Sequence, residues 1–424
     1  MEREDEADRH MPDSERFAVE RGQAAFMTRE HKRGPDERPG ENAYAKALDK
    51  AVLGTTAAPK VLALSRKAPP AADGWQNSVN VLYSSSAAIQ SSSVSLRRIA
   101  KEPTQCLDAP GLMEDFYTNN MDWSHNGVIA IALADTVFLW NANTGNSTEL
   151  FKLGEDSVVH SVRWETKGKF LSVGTSDNTV IIYDVNKGRI VRTLKTHQAP
   201  VGAMAWNRHL LASGAKDGTL LYDDVRQKQS TIANLQGHVE EICGLEWNPQ
   251  GDRLASGAND DQVLIWGLSS SQPKQRLIAH TGAVKALSWA PNRRGLLASG
   301  GGNMDRRIRF WDTTTGDCVN EIETGSQISA LMWNQKGDEI LSSHGFKANS
   351  LCVWKYPSLI RVAEIQTTHE SRILHSRPSP DGVHVASAGG DQLCLWNVFE
   401  STATETPDPT KTHDHRSNDR GHYR

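Results

Sequence analysis

Apolar and polar residues alternate in short runs through the middle of the chain, as in Ile242-Cys-Gly-Leu-Glu-Trp247, and turn residues separate the runs. A period of two predicts half-buried strands. A larger unit recurs above this alternation. It consists of an alternating strand ending in Trp, a turn, a small-residue strand of the Leu-Ala-Ser-Gly type, a polar turn carrying Asp, and a further strand ending in Trp. The first strand ends at Trp123, Trp164, Trp206, Trp247, Trp289 and Trp333. The later one ends at Trp140, Tyr183, Asp223, Trp266, Trp311, Trp354 and Trp396.

The later marks recur about every 40–45 residues, the period of a WD repeat, and their number predicts an all-β, seven-bladed WD-repeat β-propeller around a central channel. Radial closure hides most strand edges. The last unit lacks the first Trp and has Arg377 there, while Ser379-Pro-Asp-Gly382 and Val385-Ala-Ser387 keep its register. The propeller is expected over 106–399. Residues 1–105 are rich in charge, Ala, Pro and Ser, and 400–424 are polar, so both read as disordered tails with too little apolar surface to offset their ordering entropy.

The chain has 424 residues and a formal net charge of -4, which gives no basic field to attract nucleic acid or an anionic membrane. Neither a signal peptide nor a transit peptide is recognisable at its start, and no apolar run reaches membrane-spanning length, so a soluble intracellular protein is expected. Cys106, Cys243, Cys318, Cys352 and Cys394 are scattered singly, which predicts reduced thiols, with neither a disulfide framework nor a zinc site.

His238, Ser256, Asp260 and Trp266, and again His280, Ser299, Asp305 and Trp311, resemble a catalytic Asp-His-Ser set. Their recurrence at blade spacing points to a structural network instead, with Asp accepting from His and the indole N–H closing the chain. No nucleophile elbow, phosphate loop or zinc-binding H-E-x-x-H is present, and Gly300-Gly-Gly302 reads as a tight turn between strands. The chain is therefore expected to be no enzyme, to use no cofactor and no metal, and to bind proteins through its loops.

Loops on one face place Asp115, Asn259, Asp261, Asn303, Gln327 and Arg372 around the channel mouth. Such a ring suits a short peptide carrying Lys, Glu and Asn, with Arg372 taking the Glu.

Arg98-Ile-Ala-Lys-Glu-Pro-Thr-Gln-Cys-Leu-Asp-Ala-Pro110, Asp122-Trp-Ser124, His344-Gly-Phe346 and Trp354-Lys-Tyr-Pro357 closely resemble the Fizzy family. These are substrate-recruiting activators of the anaphase-promoting complex, a ubiquitin ligase. Lys60-Val-Leu-Ala-Leu64, Gly74-Trp-Gln-Asn77 and Val81-Leu-Tyr83 look like its mitotic cell-division-cycle-20 branch. The resemblance implies the following roles. The mouth residues form the KEN-degron receptor, with Asp261 and Asn303 standing where the family has Asn and Thr. Leu107 and Asp108, with Gln392 or Asp391, form the destruction-box receptor between blades one and seven. Lys60, Val61, Leu62 and Leu64 dock a spindle-checkpoint protein. Arg16, Phe17 and Arg21 belong to a C-box-like segment, Glu15-Arg-Phe-Ala-Val-Glu-Arg21, that lacks the family's Ile-Pro core, and Tyr423-Arg424 stands for an Ile-Arg tail. Ligase subunits, checkpoint proteins, and substrates such as cyclins and securin are the implied partners, in nucleus and cytoplasm. The altered C-box keeps a second reading open: a diverged scaffold that binds substrates but activates the ligase poorly.

Overall fold

A computed structural model describes residues 99–399, without 155 and 347. The C-box-like segment 15–21, the checkpoint-docking segment 60–64, Tyr423-Arg424 and both tails lie outside the described residues.

Successive strands pair antiparallel into seven four-stranded sheets, with no helix among the described residues. Each late mark of the repeat is the penultimate residue of a third strand, as with Trp140 in Thr136–Asn141 and Trp266 in Val263–Gly267. Six sheets are contiguous in sequence. The seventh takes β26 (His375–Pro378), β27 (His384–Gly389) and β28 (Gln392–Asn397) from the end of the domain, and its outermost strand β1 (Gln105–Asp108) from the beginning. The ring is thus closed by pairing across the whole domain, in the register Gln105↔Leu395 to Asp108↔Gln392.

Packing is between blades. One apolar cluster joins Ala109 and Leu112 of the entering link and Met121, Ile129 and Trp140 of the first blade to Ala386, Ala388, Leu393 and Leu395 of the last, with Leu107 half-buried against it. Indole N–H groups add a hydrogen bond at four seams. Trp206 donates to the carbonyl of Arg163, Trp247 to Ala205, Trp289 to Glu246 and Trp333 to Ser288, at 2.9–3.3 Å. Each acceptor is on the innermost strand of the preceding blade.

The remaining seams differ, and one sequence expectation is corrected here. In blades four to six the serine of the second strand pairs with the residue two before the tryptophan: Ser256 with Leu245, Ser299 with Leu287, Ser342 with Leu331. In blade seven Ser387 pairs with Ser376, so Pro378, and not Arg377, holds the tryptophan's place. Pro378 has no donor to offer, and the indole N–H groups of Trp123 and Trp164 are buried without a partner. Arg377 instead shares its register with Asp122, Arg163 and Glu246, each one residue before its tryptophan. These four side chains meet: Arg163 lies 2.7 Å from Glu246, Arg377 3.2 Å from Asp122, and the second carboxylate oxygen of Asp122 accepts from the backbone N–H of Trp164 at 2.8 Å. An ion cluster therefore ties blades one, two, four and seven together around the seams where the indole bond is missing.

Two further expectations are corrected. Gly300 and Gly301 lie within the strand Leu296–Gly301, and only Gly302 lies beyond it, where its carbonyl accepts from the Arg306 N–H to open the turn. A Cβ on Gly300 would come 2.5 Å from Ile328, and one on Gly301 would strike the Asp305 carboxylate, so close approach excludes a side chain there. Cys106 and Cys394 are not free thiols. They are direct cross-strand partners with Cα atoms 4.1 Å apart, and they form a disulfide. Their separation of 288 residues hides in sequence what strand register makes adjacent. Cys243, Cys318 and Cys352 are free, as expected.

Candidate functional site

The His-Ser-Asp-Trp sets are structural. Trp266 donates from its indole to Ser256 Oγ at 2.7 Å, His238 Nε2 meets that hydroxyl at 2.7 Å, and His238 Nδ1 meets Asp260 at 2.9 Å. Blade five repeats the chain through Trp311, Ser299, His280 and Asp305, and Arg309 joins it at 2.7 Å from Asp305. Burial alone would raise the Asp305 carboxyl, but hydrogen bonds from His280 and Arg309 outweigh it and hold it at about 2. Blade seven keeps His369, Ser387 and Trp396. Every serine hydroxyl here is consumed between an imidazole and an indole and faces no solvent.

The channel mouth contains more than its six sequence-predicted residues. The link that leads into the first blade crosses the channel: Asn119 donates to the carbonyls of Gly202 and Cys243 in blades three and four, and Phe116 packs against Ala283 and Leu374. Asp115 fixes this link by accepting from the Tyr117 N–H, and the Tyr117 hydroxyl donates to Asn259 Oδ1 at 2.8 Å. Asn259 also reaches Glu240. Phe116 and Tyr117 thus floor the mouth. Neither shows in a search for polar loop residues, because they belong to the connecting link and to no repeat.

Acids dominate this floor. Burial raises the Tyr117 phenol, and Cys243, Glu241, Asp115 and Glu240 add to the rise. Burial likewise raises Asp261, reinforced by Asp260, Glu240 and Asp305. On the opposite side stand Gln327 and Arg372, both close to Gly345: a Cβ there would lie 2.9 Å from Arg372 Cβ and 3.3 Å from Gln327 Oε1. The Gln327 oxygen is buried and accepts no hydrogen bond. Arg372 donates to the Glu114 carbonyl at 2.9 Å, makes no ion pair among the described residues, and lies under the Phe346 ring. Asn303 is exposed and held by Arg306. The mouth therefore offers an acidic side for a cation, an unpaired guanidinium for a carboxylate, and an idle buried acceptor for an amide or ammonium N–H.

Below the floor, Lys285 donates to the Leu374 carbonyl at 2.8 Å, stands 3.5 Å from His375 Nδ1 and lies 5.5 Å from the centre of the Phe116 ring. Burial pushes its ammonium down to about 7; Cys243 and Asp115 oppose this, Arg377 and Arg372 add to it. The unfolded chain, at the ordinary lysine value, binds more protons than the folded one between that pH and about 10.5, so this group makes stability rise with pH over that window. Lys285→Met is therefore expected to gain most over the wild type at and below about pH 7, the advantage narrowing as pH rises. Urea unfolding at about pH 6 and about pH 9 checks this, and a difference independent of pH would rule out a charged Lys285 as its source.

The second region lies at the closure seam. Asp108 is exposed and pairs with half-buried Gln392, whose Oε1 is also buried without a partner. Asp391 is beside them, its carboxylate accepting from the Gly111 N–H at 3.0 Å and its carbonyl from the Ala109 N–H. Leu107, Asp108, Asp391 and Gln392 thus gather at one end of the β1–β28 pair. Of the two carboxylates, that of Asp108 accepts no hydrogen bond from the backbone of the described residues.

Comparison with known proteins follows the same outline. The CDC20/Fizzy WD40 domain profile matches residues 107–396. Over 411 residues the chain is 42% identical to Cell division cycle 20.1, cofactor of APC complex, from Arabidopsis thaliana, covering 92% of this chain and 87% of that protein. It is 44% identical over 312 residues to Protein FIZZY-RELATED 3 of the same plant, covering 73% of this chain but only 65% of that relative's length. Among solved structures, a chain of the Crystal Structure of Mitotic Checkpoint Complex superposes with a TM-score of 0.70 at 40% identity, covering 81% of this chain and 99% of that one. With the profile spanning the whole ring, the chain belongs to the CDC20/Fizzy family of WD40 proteins.

Proposed function

We propose that this protein is a non-catalytic activator of the anaphase-promoting complex, recruiting mitotic proteins by their KEN and destruction-box degrons so that ubiquitin transfer becomes effectively intramolecular. The observation that carries the reading is the pairing of Arg372, a cation with no carboxylate partner among the described residues at the rim of the mouth, with an acidic floor and the idle acceptor of Gln327. A Lys-Glu-Asn tripeptide supplies a partner to each. At the closure seam the Asp108 carboxylate beside the apolar Leu107 suits a peptide with Arg and Leu. Simultaneous engagement of two weak degrons raises avidity. The relative called a cofactor of APC complex and the neighbour from the mitotic checkpoint complex support ligase and checkpoint partners.

The test joins binding to activity. Arg372→Ala is expected to weaken a KEN peptide about tenfold or more, and Asp108→Ala a destruction-box peptide similarly, since each loses a charge-assisted bond. Both variants should slow reconstituted cyclin ubiquitination. Unchanged peptide affinities by calorimetry would refute the receptor assignment. Peptide binding without stimulation of the ligase, restored by Ile and Pro at Ala18 and Val19, would favour the diverged scaffold that the altered C-box suggests.

A further inference from the structure

The turn between second and third strands places one residue in the left-handed region in each of the first five blades: Ala134, Asn178, Gly218, Asp261 and Arg306. Gly, Asn and Asp tolerate positive φ, and the other two are an alanine and an arginine, neither aromatic nor β-branched. Blade six has Asn349 in that role, at φ 42°, and in addition Phe346 at φ 57°. An aromatic residue in the left-handed region is a strained choice that only its surroundings can justify, and such strain gathers at functional sites. The surroundings do not bury it: Phe346 is 55% exposed. What the backbone geometry achieves is a contact, with the Phe346 ring centre 4.8 Å from the Arg372 guanidinium carbon. The turn is held in place from the neighbouring link, where the Ser326 hydroxyl donates to the Gly345 carbonyl.

The geometry points to Phe346 as a positioning residue for the degron glutamate, acting through Arg372. A ring on the guanidinium face leaves its edge, where the N–H donors are, open to a carboxylate, and the planar fork rewards a fixed orientation. With one N–H anchored on the Glu114 carbonyl and one face covered by Phe346, the arginine arrives pre-oriented, so less rotamer freedom is lost when the glutamate binds. This rests on the KEN-receptor reading above, and it names the ligand group that Phe346 serves.

The experiment is a double-mutant cycle on the full chain, using a KEN peptide and the same peptide with Gln for its Glu. Phe346→Ala is expected to weaken the KEN peptide about threefold to fivefold and to leave the Gln peptide unchanged, with Phe346→Tyr restoring wild-type affinity. A purely structural residue would weaken both peptides together. Equal loss for both peptides, or no loss for either, would overturn the assignment. Arg372→Ala separates the two levels: if it weakens the KEN peptide while Phe346→Ala does not, the Phe346 assignment alone falls. If neither variant changes binding, the receptor reading beneath it falls as well.

Discussion

Replacing Asp122 with alanine is expected to destabilise the propeller by about 3–5 kcal/mol, the cost of leaving a buried charge uncompensated. Asp122 is 7% exposed and serves three partners: Arg377 at 3.2 Å, Arg163 at 3.7 Å, and the backbone N–H of Trp164. Without it, two guanidinium groups face the single carboxylate of Glu246, which lies 2.7 Å from Arg163 and 4.0 Å from Arg377. The effect should be large because the hydrogen bonds that also cross the first seam, such as Asn120 to the Val159 carbonyl, leave the two buried guanidinium groups uncompensated. The indoles of Trp123 and Trp164 make no hydrogen bond, and Pro378 has none to make. Asn at 122 keeps an acceptor for the Trp164 N–H and loses the charge, so it should fall between wild type and alanine. Equilibrium unfolding in urea measures all three. A loss below about 1 kcal/mol for alanine would mean that the ion cluster contributes little beside apolar packing and strand pairing.

The repeat was legible because it is local. A strand-ending tryptophan, a small-residue strand and an Asp turn lie within one blade, and each blade imposes the same demands on the chain again, so spacing alone located seven third strands. The blade-turn positions Asn259, Asp261 and Asn303 were readable by the same spacing, since each lies in the turn between the second and third strands of its blade. What spacing could not show are the features made by bringing distant residues together. Phe116 and Tyr117 floor the mouth because a link outside the repeat crosses the channel, and Phe346 matters only because Arg372, 26 residues later, comes under its ring. The place of Arg377 was misread because a degenerate strand offers two neighbouring positions, and only pairing of Ser387 with Ser376 chooses between them. That one-residue difference moves the side chain from the tryptophan seam into the ion cluster.

Serine at both Cys106 and Cys394 is expected to lower stability by about 2–4 kcal/mol relative to the oxidised protein. The bond joins the first strand of the ring to the last and closes a separation of 288 residues, so in a chain-entropy view it restricts the unfolded ensemble more than a short-range bridge could. It is not the only closure. Thr104 N donates to the Leu395 carbonyl at 2.8 Å, Ala109 N to that of Asp391 at 2.7 Å, and the seam cluster packs around Leu107. The double serine variant should therefore still fold, with β1 freer to leave β28. Leu107 and Asp108 follow Cys106 directly, and Gln392 and Asp391 sit just before Cys394, so the same freedom should reach the proposed destruction-box receptor and leave the channel mouth alone. Unfolding of oxidised wild type, dithiol-reduced wild type and the double variant, with both degron peptides titrated against each, reads these effects apart. The reduced wild type should match the double variant in both stability and peptide affinity. Equal unfolding midpoints for all three would show that strand pairing and packing hold the ring shut without the disulfide, and a loss of affinity shared equally by both peptides would argue against a local effect at the seam.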